Sequence, residues 1–157
     1  MLRRFPPGLT DPQQNHMQSH LTRLICAVLN SNKDAYYYQG FHDISLTFLL
    51  VCMSANEKTP GVAAACLNKL MKQVLAPFME KSMEKTHQLI HVVFSLVEKE
   101  NKRLFERIVR ESRCPVAFCL AWVITWFSHT LPNESDVFSK YDYLIYMHFL
   151  RIPNEIQ

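Results

Sequence analysis

One short stretch gathers most of the chemically capable side chains that lie close together, Tyr37-Tyr38-Gln39-Gly40-Phe41-His42-Asp43. Gln39 is a polar residue among aromatics, followed at once by a glycine and then by an apolar run. A carboxamide donates and accepts in one group, so a glutamine held at a corner can orient a water molecule. A helix start wrapped in aromatic packing accounts for the same residues, and on residue types alone it is the preferred reading. Two histidine pairs, His16 with His20 and His87 with His91, are spaced i,i+4, which places each pair of rings on one helical face as a zinc site requires. Neither pair belongs to an H-E-x-x-H sequence, and no third ligand is in register. Surface or core histidines are the expectation, and no metal is assigned. The 5 cysteines (Cys26, Cys52, Cys66, Cys114, Cys119) are odd in number and lack a C-x-x-C pair. They lie in or beside apolar stretches, so reduced, buried thiols are expected. No G-x-S-x-G elbow is present for a serine nucleophile.

The elements that must position these residues read as helices. Phe5-Pro6-Pro7-Gly8 cannot be helical, and residues 1–10 are expected to form an extended lead-in. Asp11-Pro12 then starts a helix, with Asp11 as the expected cap and Gln14 reaching back. Met17, Leu21, Leu24, Ile25 and Val28 recur at helical spacing until Asn30-Ser31-Asn32. Tyr36-Tyr37-Tyr38 reads as an aromatic link. Asp43 to Met53 is apolar nearly all round, which predicts a central buried helix. A turn is expected over 56–60, then a small-residue helix from Pro60 to the break at Pro77. Leu89, Ile90, Val93, Phe94 and Val97 form one stripe, and Leu104, Phe105, Ile108 and Val109 another, each predicting a surface helix packed on one side. Val116 to Phe127 predicts a fully buried helix with Trp122 and Trp126 on one face. Val137, Phe138, Tyr141, Leu144 and Ile145 predict a last helix. Strand-period alternation is missing at any useful length, so the expectation is an all-α single domain of about seven helices.

Composition narrows the function classes. With 157 residues, 48% hydrophobic and 20% charged, the chain has the make-up of one globular domain with a real core. Only 3 glycines occur, which excludes phosphate-cradling glycine loops and dinucleotide folds. A formal charge of +3, with acidic and basic residues interleaved from Glu98 to Glu106, does not call for a nucleic-acid partner. The longest apolar runs fall short of the ~20 residues of a membrane span. No secretory signal opens the sequence.

Tyr37-Tyr38-Gln39-Gly40-Phe41-His42-Asp43-Ile44 resembles the YxQGxxDI motif of TBC-domain Rab GTPase-activating proteins. Leu2-Arg3-Arg4-Phe5-Pro6-Pro7-Gly8 resembles the segment that follows the arginine motif of that family. Ala121-Trp122-Val123-Ile124-Thr125-Trp126-Phe127 is similar to its tryptophan-rich core helix, and Tyr141-Asp142 fits the helix after it. The resemblance runs in order from Leu2 to about Leu144.

It implies that residues 11–157 are part of a Rab-GAP TBC domain, and that the partner is a Rab-family small GTPase. Such proteins lend two side chains to the partner's hydrolysis of GTP: an arginine from IxxDxxR and a glutamine from YxQ. Gln39 matches the glutamine, which would position the attacking water. Tyr37, Tyr38, Gly40 and Asp43 are implied as partner-binding or framing positions. No IxxDxxR occurs in the sequence, and Arg3 and Arg4 lie past the matching position, so no catalytic arginine is carried over. No cofactor is implied for the chain itself, because GTP and magnesium belong to the partner. A TBC-like module that binds a Rab without accelerating hydrolysis is the alternative. The resemblance also implies a cytoplasmic location at endoplasmic reticulum or Golgi membranes.

Overall fold

Helical capping and apolar spacing dictate the first element. The structure, a computed structural model, describes residues 5–6, 8–55 and 60–149. Helix α1 spans Asp11–Asn30. Its cap is Thr10, one residue earlier than expected: Gln13 Oε1 accepts the Thr10 N–H at 2.9 Å, and Gln14 Nε2 donates to the Leu9 carbonyl at 3.0 Å. Leu21, Leu24 and Val28 are buried, with Met17 and Ile25 packed against the same core. Beyond the helix, Asn32 Nδ2 donates to Val28 O and to Asn68 Oδ1, both at 2.7 Å, and so ties the end of α1 to α3.

Helix α2, Phe41–Ala55, is the centre of the fold. Phe41, Ile44, Leu46 and Leu49 are buried, and each such side chain contributes ~1.5–3 kcal/mol over an exposed one. Its buried hydroxyls are satisfied by its own backbone. Ser45 Oγ donates to Phe41 O at 2.7 Å and Thr47 Oγ1 to Asp43 O at 3.1 Å. The helix is not buried all round, because Val51 and Met53 emerge into solvent in its second half. Helix α3, Pro60–Leu70, seats Ala63, Leu67 and Leu70 against the same core. A π-helical stretch, Met71–Leu75, and a 3₁₀ turn, Ala76–Phe78, carry the chain past Pro77. Residues 56–59 of the expected turn, residues 1–4 and Pro7 lie outside the described residues.

Helices α4, Glu84–Glu100, and α5, Lys102–Glu111, form an outlying pair. Phe94 and Phe105 meet at 4.8 Å between ring centres. Their covered sides are thinner than the stripes predict: α4 buries only Thr86 and Ile90, α5 buries none, and Leu89, Leu104 and Val109 are exposed. The run from Val116 is also not one buried helix. A 3₁₀ segment, Pro115–Cys119, leads into a six-residue helix α6, Leu120–Thr125, whose side chains are mostly half-buried. Trp126 and Phe127 then take left-handed backbone, φ 50° and 66°, so Trp126 leaves the helix that carries Trp122. Helix α7, Glu134–Phe149, returns over α6. Tyr141 stacks edge-on with Trp126 at 5.5 Å and donates to Thr125 O at 3.2 Å. The architecture is all-α, with seven α-helices among the described residues. No helix among them is long and apolar enough to cross a membrane.

Candidate functional site

The link between α1 and α2 passes over the core as Ala35-Tyr36-Tyr37-Tyr38 and then turns sharply. Tyr36 N–H donates to Met79 O at 2.8 Å, which fixes the start of the link against the end of the 3₁₀ turn. Tyr38 points inward. It is 8% exposed, packs between Phe41 and Phe78, and donates its hydroxyl to Ile124 O at 2.9 Å. Burial first, then the neighbouring Tyr141, Asp43 and Tyr37, pushes the phenol well above its ordinary value. The Tyr38 carbonyl accepts the Phe41 N–H at 3.2 Å, closing a turn with Gln39 and Gly40 at its centre.

Gly40 has φ +120°, a backbone that residues with a Cβ rarely adopt. It is also a close approach. A Cβ there would stand 3.0 Å from Thr125 Cγ2 and 3.4 Å from Ile124 O. The turn therefore presses its back onto α6 and needs glycine on both counts. Gln39, one residue earlier, is exposed. Its amide stands at the corner, outside the core that immobilises its neighbours.

Tyr37 and Asp43 flank that corner differently. Tyr37 is 51% exposed and engages His42, its hydroxyl 2.7 Å from Nδ1 with the rings stacked at 6.4 Å and 20°. Burial first, then the Asp43 charge, raises its phenol above the ordinary value. Asp43 is buried in the first turn of α2, where a carboxylate suits the positive end of the helix. Its Oδ2 lies 3.5 Å from His42 Nε2, and its Oδ1 has no hydrogen-bond partner among the described residues. Of the residues singled out from sequence, Gln39 and Tyr37 thus stand outward, while Tyr38, Gly40 and Asp43 stand behind the turn. Sequence reasoning gave no role to His42, Ile124 or Thr125. The two latter residues belong to a segment about eighty positions away, and no local pattern announces that they support this turn.

The remaining candidates do not gather. Among the described residues no three His, Cys, Asp or Glu side chains converge as a metal site. His16 and His20 stack at 4.3 Å near the surface, and His87 and His91 are exposed. The thiols form no disulfide, but the expectation that they are buried fails for most: Cys26, Cys66 and Cys114 are exposed, Cys52 is half-buried, and Cys119 is enclosed. Helical spacing gives a face, and an apolar face half-covered by neighbours leaves its cysteines accessible.

An all-helical domain that presents a glutamine on a glycine-backed turn is the arrangement implied by the YxQGxxDI motif. The chain belongs to the Rab-GTPase-TBC domain family, whose pattern matches residues 1–152. Among individual proteins it is 34% identical to mouse TBC1 domain family member 20 over 147 residues, covering 94% of this chain and 35% of that protein. The human protein of the same name is 33% identical over the same span. The fission yeast GTPase-activating protein gyp10 is 27% identical over 136 residues, covering 86% of this chain and 34% of its own length. The chain spans about a third of the length of the curated relatives it matches.

Proposed function

We propose that this chain contributes to GTP hydrolysis by a Rab-family small GTPase, with the Gln39 carboxamide orienting the attacking water in the partner's nucleotide site. The supporting observation is geometric. Gln39 is exposed on a turn whose other residues are fixed by burial, by the Tyr38 bond to Ile124 and by the +120° backbone of Gly40. Phosphoryl transfer demands little covalent chemistry from a protein, so a group that is already positioned lowers the barrier without reorganising during reaction. The carboxamide oxygen accepts a hydrogen bond from the water and its nitrogen can donate one, which fixes the water in line with the terminal phosphate. GTP and magnesium are the partner's, and the proposed event is cytoplasmic, at endoplasmic reticulum or Golgi membranes.

The second reading, a module that binds a Rab-family GTPase without accelerating hydrolysis, is favoured by one sequence fact: the 157 residues contain no IxxDxxR. A supplied arginine is worth ~10³–10⁵ in rate, or ~4–7 kcal/mol of barrier, and Gln39 alone does not replace it. The test is GTP hydrolysis by a panel of GTP-loaded Rab-family GTPases. It is run with this chain, and with the chain preceded by a segment carrying the arginine motif. Acceleration by the longer form that falls at least tenfold with Gln39→Ala supports the catalytic reading. Binding with no acceleration in either form establishes the second reading. Acceleration untouched by Gln39→Ala removes Gln39 from the mechanism.

A further inference from the structure

We infer that His42 is a positioning residue, bridging through its imidazole to the Tyr37 hydroxyl so that the turn carrying Gln39 is closed from its outer side. The inference deepens the proposed role of Gln39 and rests on that reading for its catalytic consequence.

The bridge spans the turn. Tyr37 precedes Gln39 by two positions and His42 follows it by three, and their side chains meet at 2.7 Å across the exposed corner. The two ends of the bridge differ in rigidity. His42 lies in the first turn of α2 between Phe41, which is fully buried, and Asp43, which is 3% exposed. Tyr37 is half in solvent on an irregular link, where His42 and the anchorage of Tyr38 restrain it. A loose aromatic side chain beside Gln39 would have several rotamers open to it, and the bridge selects one. Tyr37 and Tyr38 are thus secured in opposite directions: Tyr38 inward to Ile124 on α6, Tyr37 outward to His42 on α2.

Either group can donate across 2.7 Å, and the charge of the Asp43 carboxylate 3.5 Å beyond the ring, too far for a hydrogen bond, selects the direction. A phenol that donates to Nδ1 leaves the neutral imidazole with its proton on Nε2. That nitrogen faces the buried Asp43 carboxylate at 3.5 Å, which favours this tautomer. Phe41 N–H bonds Tyr38 O across Gln39 and Gly40, so its exchange with solvent reports each opening of the turn.

The experiment uses the whole 157-residue chain. Nitrogen-15 spectra of its histidines should show His42 with a bare Nδ1 and a protonated Nε2. Five variants are then compared by hydrogen exchange at the Phe41 amide. His42→Asn places an amide where Nδ1 stands, and it should hold exchange within about twofold of the parent. His42→Gln places one near Nε2 instead. It should speed exchange about as much as His42→Ala, by roughly tenfold, as should Tyr37→Phe. The double variant Tyr37→Phe/His42→Ala should add nothing further. Unchanged exchange in His42→Ala, or additive effects in the double variant, would each overturn the bridge. In hydrolysis assays with the arginine motif present, His42→Ala should lower kcat about tenfold with KM unchanged and His42→Asn should restore it. If no form accelerates hydrolysis, the catalytic reading of Gln39 fails, and the exchange data still decide whether the bridge exists.

Discussion

Replacing Gly40 by alanine probes the support of the Gln39 turn most directly. The new methyl carbon would lie 3.0 Å from Thr125 Cγ2 and 3.4 Å from Ile124 O, on a backbone with φ +120°. A side chain held in such a sparsely populated region costs ~1–3 kcal/mol. Crowding a neighbour that cannot withdraw adds ~1–3 kcal/mol. Thr125 is such a neighbour, because its Oγ1 donates to Ala121 O at 2.6 Å and so fixes its rotamer. The Ile124 carbonyl is held in turn by the Tyr38 hydroxyl. The expected loss is therefore ~2–6 kcal/mol, a large part of the ~5–15 kcal/mol that keeps a domain folded. Urea unfolding followed by circular dichroism and tryptophan fluorescence gives the loss as a shift in midpoint at constant slope. Adding Thr125→Ser removes the methyl that stands in the way, so the pair should recover the crowding part and retain ~1–3 kcal/mol of backbone strain. A loss below ~0.5 kcal/mol for Gly40→Ala would refute the reasoning, since it would mean the turn can move off α6 freely.

Three other outcomes are expected. Gln39→Ala, at an exposed position, should leave unfolding free energy within ~0.5 kcal/mol of the parent while cutting hydrolysis at least tenfold; equal losses in both would make Gln39 structural. Tyr38→Phe removes the partner of Ile124 O and should cost ~1–3 kcal/mol near neutral pH. Because burial raises the folded Tyr38 phenol well above its ordinary 10.0, its contribution is complete below about pH 10 and declines as pH climbs beyond it, where the unfolded phenol ionises first. Tyr38→Phe should flatten that alkaline decline, and a parent-like decline in the variant would show that other groups cause it. With a thiol reagent on the native chain, Cys26, Cys66 and Cys114 should react first and Cys119, enclosed with its thiol pushed upward by burial, last; early modification of Cys119 would contradict its placement.

Apolar periodicity marked α1 correctly, down to Leu21, Leu24 and Val28, because a two-sided amphipathic helix leaves its inner face in the sequence. It also carried the all-α class. The Val116–Phe127 run failed as a single helix for a physical reason: hydrophobicity says that a segment is covered, not which backbone it takes, and nothing in Trp126-Phe127 signals positive φ. The stripes of α4 and α5 were visible, but spacing does not reveal how much of a face its neighbours cover. At the site, the resemblance to the YxQGxxDI motif, and not residue types, singled out Gln39 and Gly40. The burial of Asp43 and the tie between Tyr37 and His42 became visible only in three dimensions, since a turn decides whether residues five apart meet.

The tyrosine hydroxyl that reaches Ile124 joins positions 86 residues apart. A ribosome releases the whole YxQG sequence long before it makes α6, and until then the Tyr38 hydroxyl lacks the carbonyl it binds. The corner becomes firm only when late-made residues arrive beneath it, a nonlocal closure that slows assembly. Ending the chain anywhere between residues 45 and 119 would therefore leave every letter of the motif in place and deprive it of its footing.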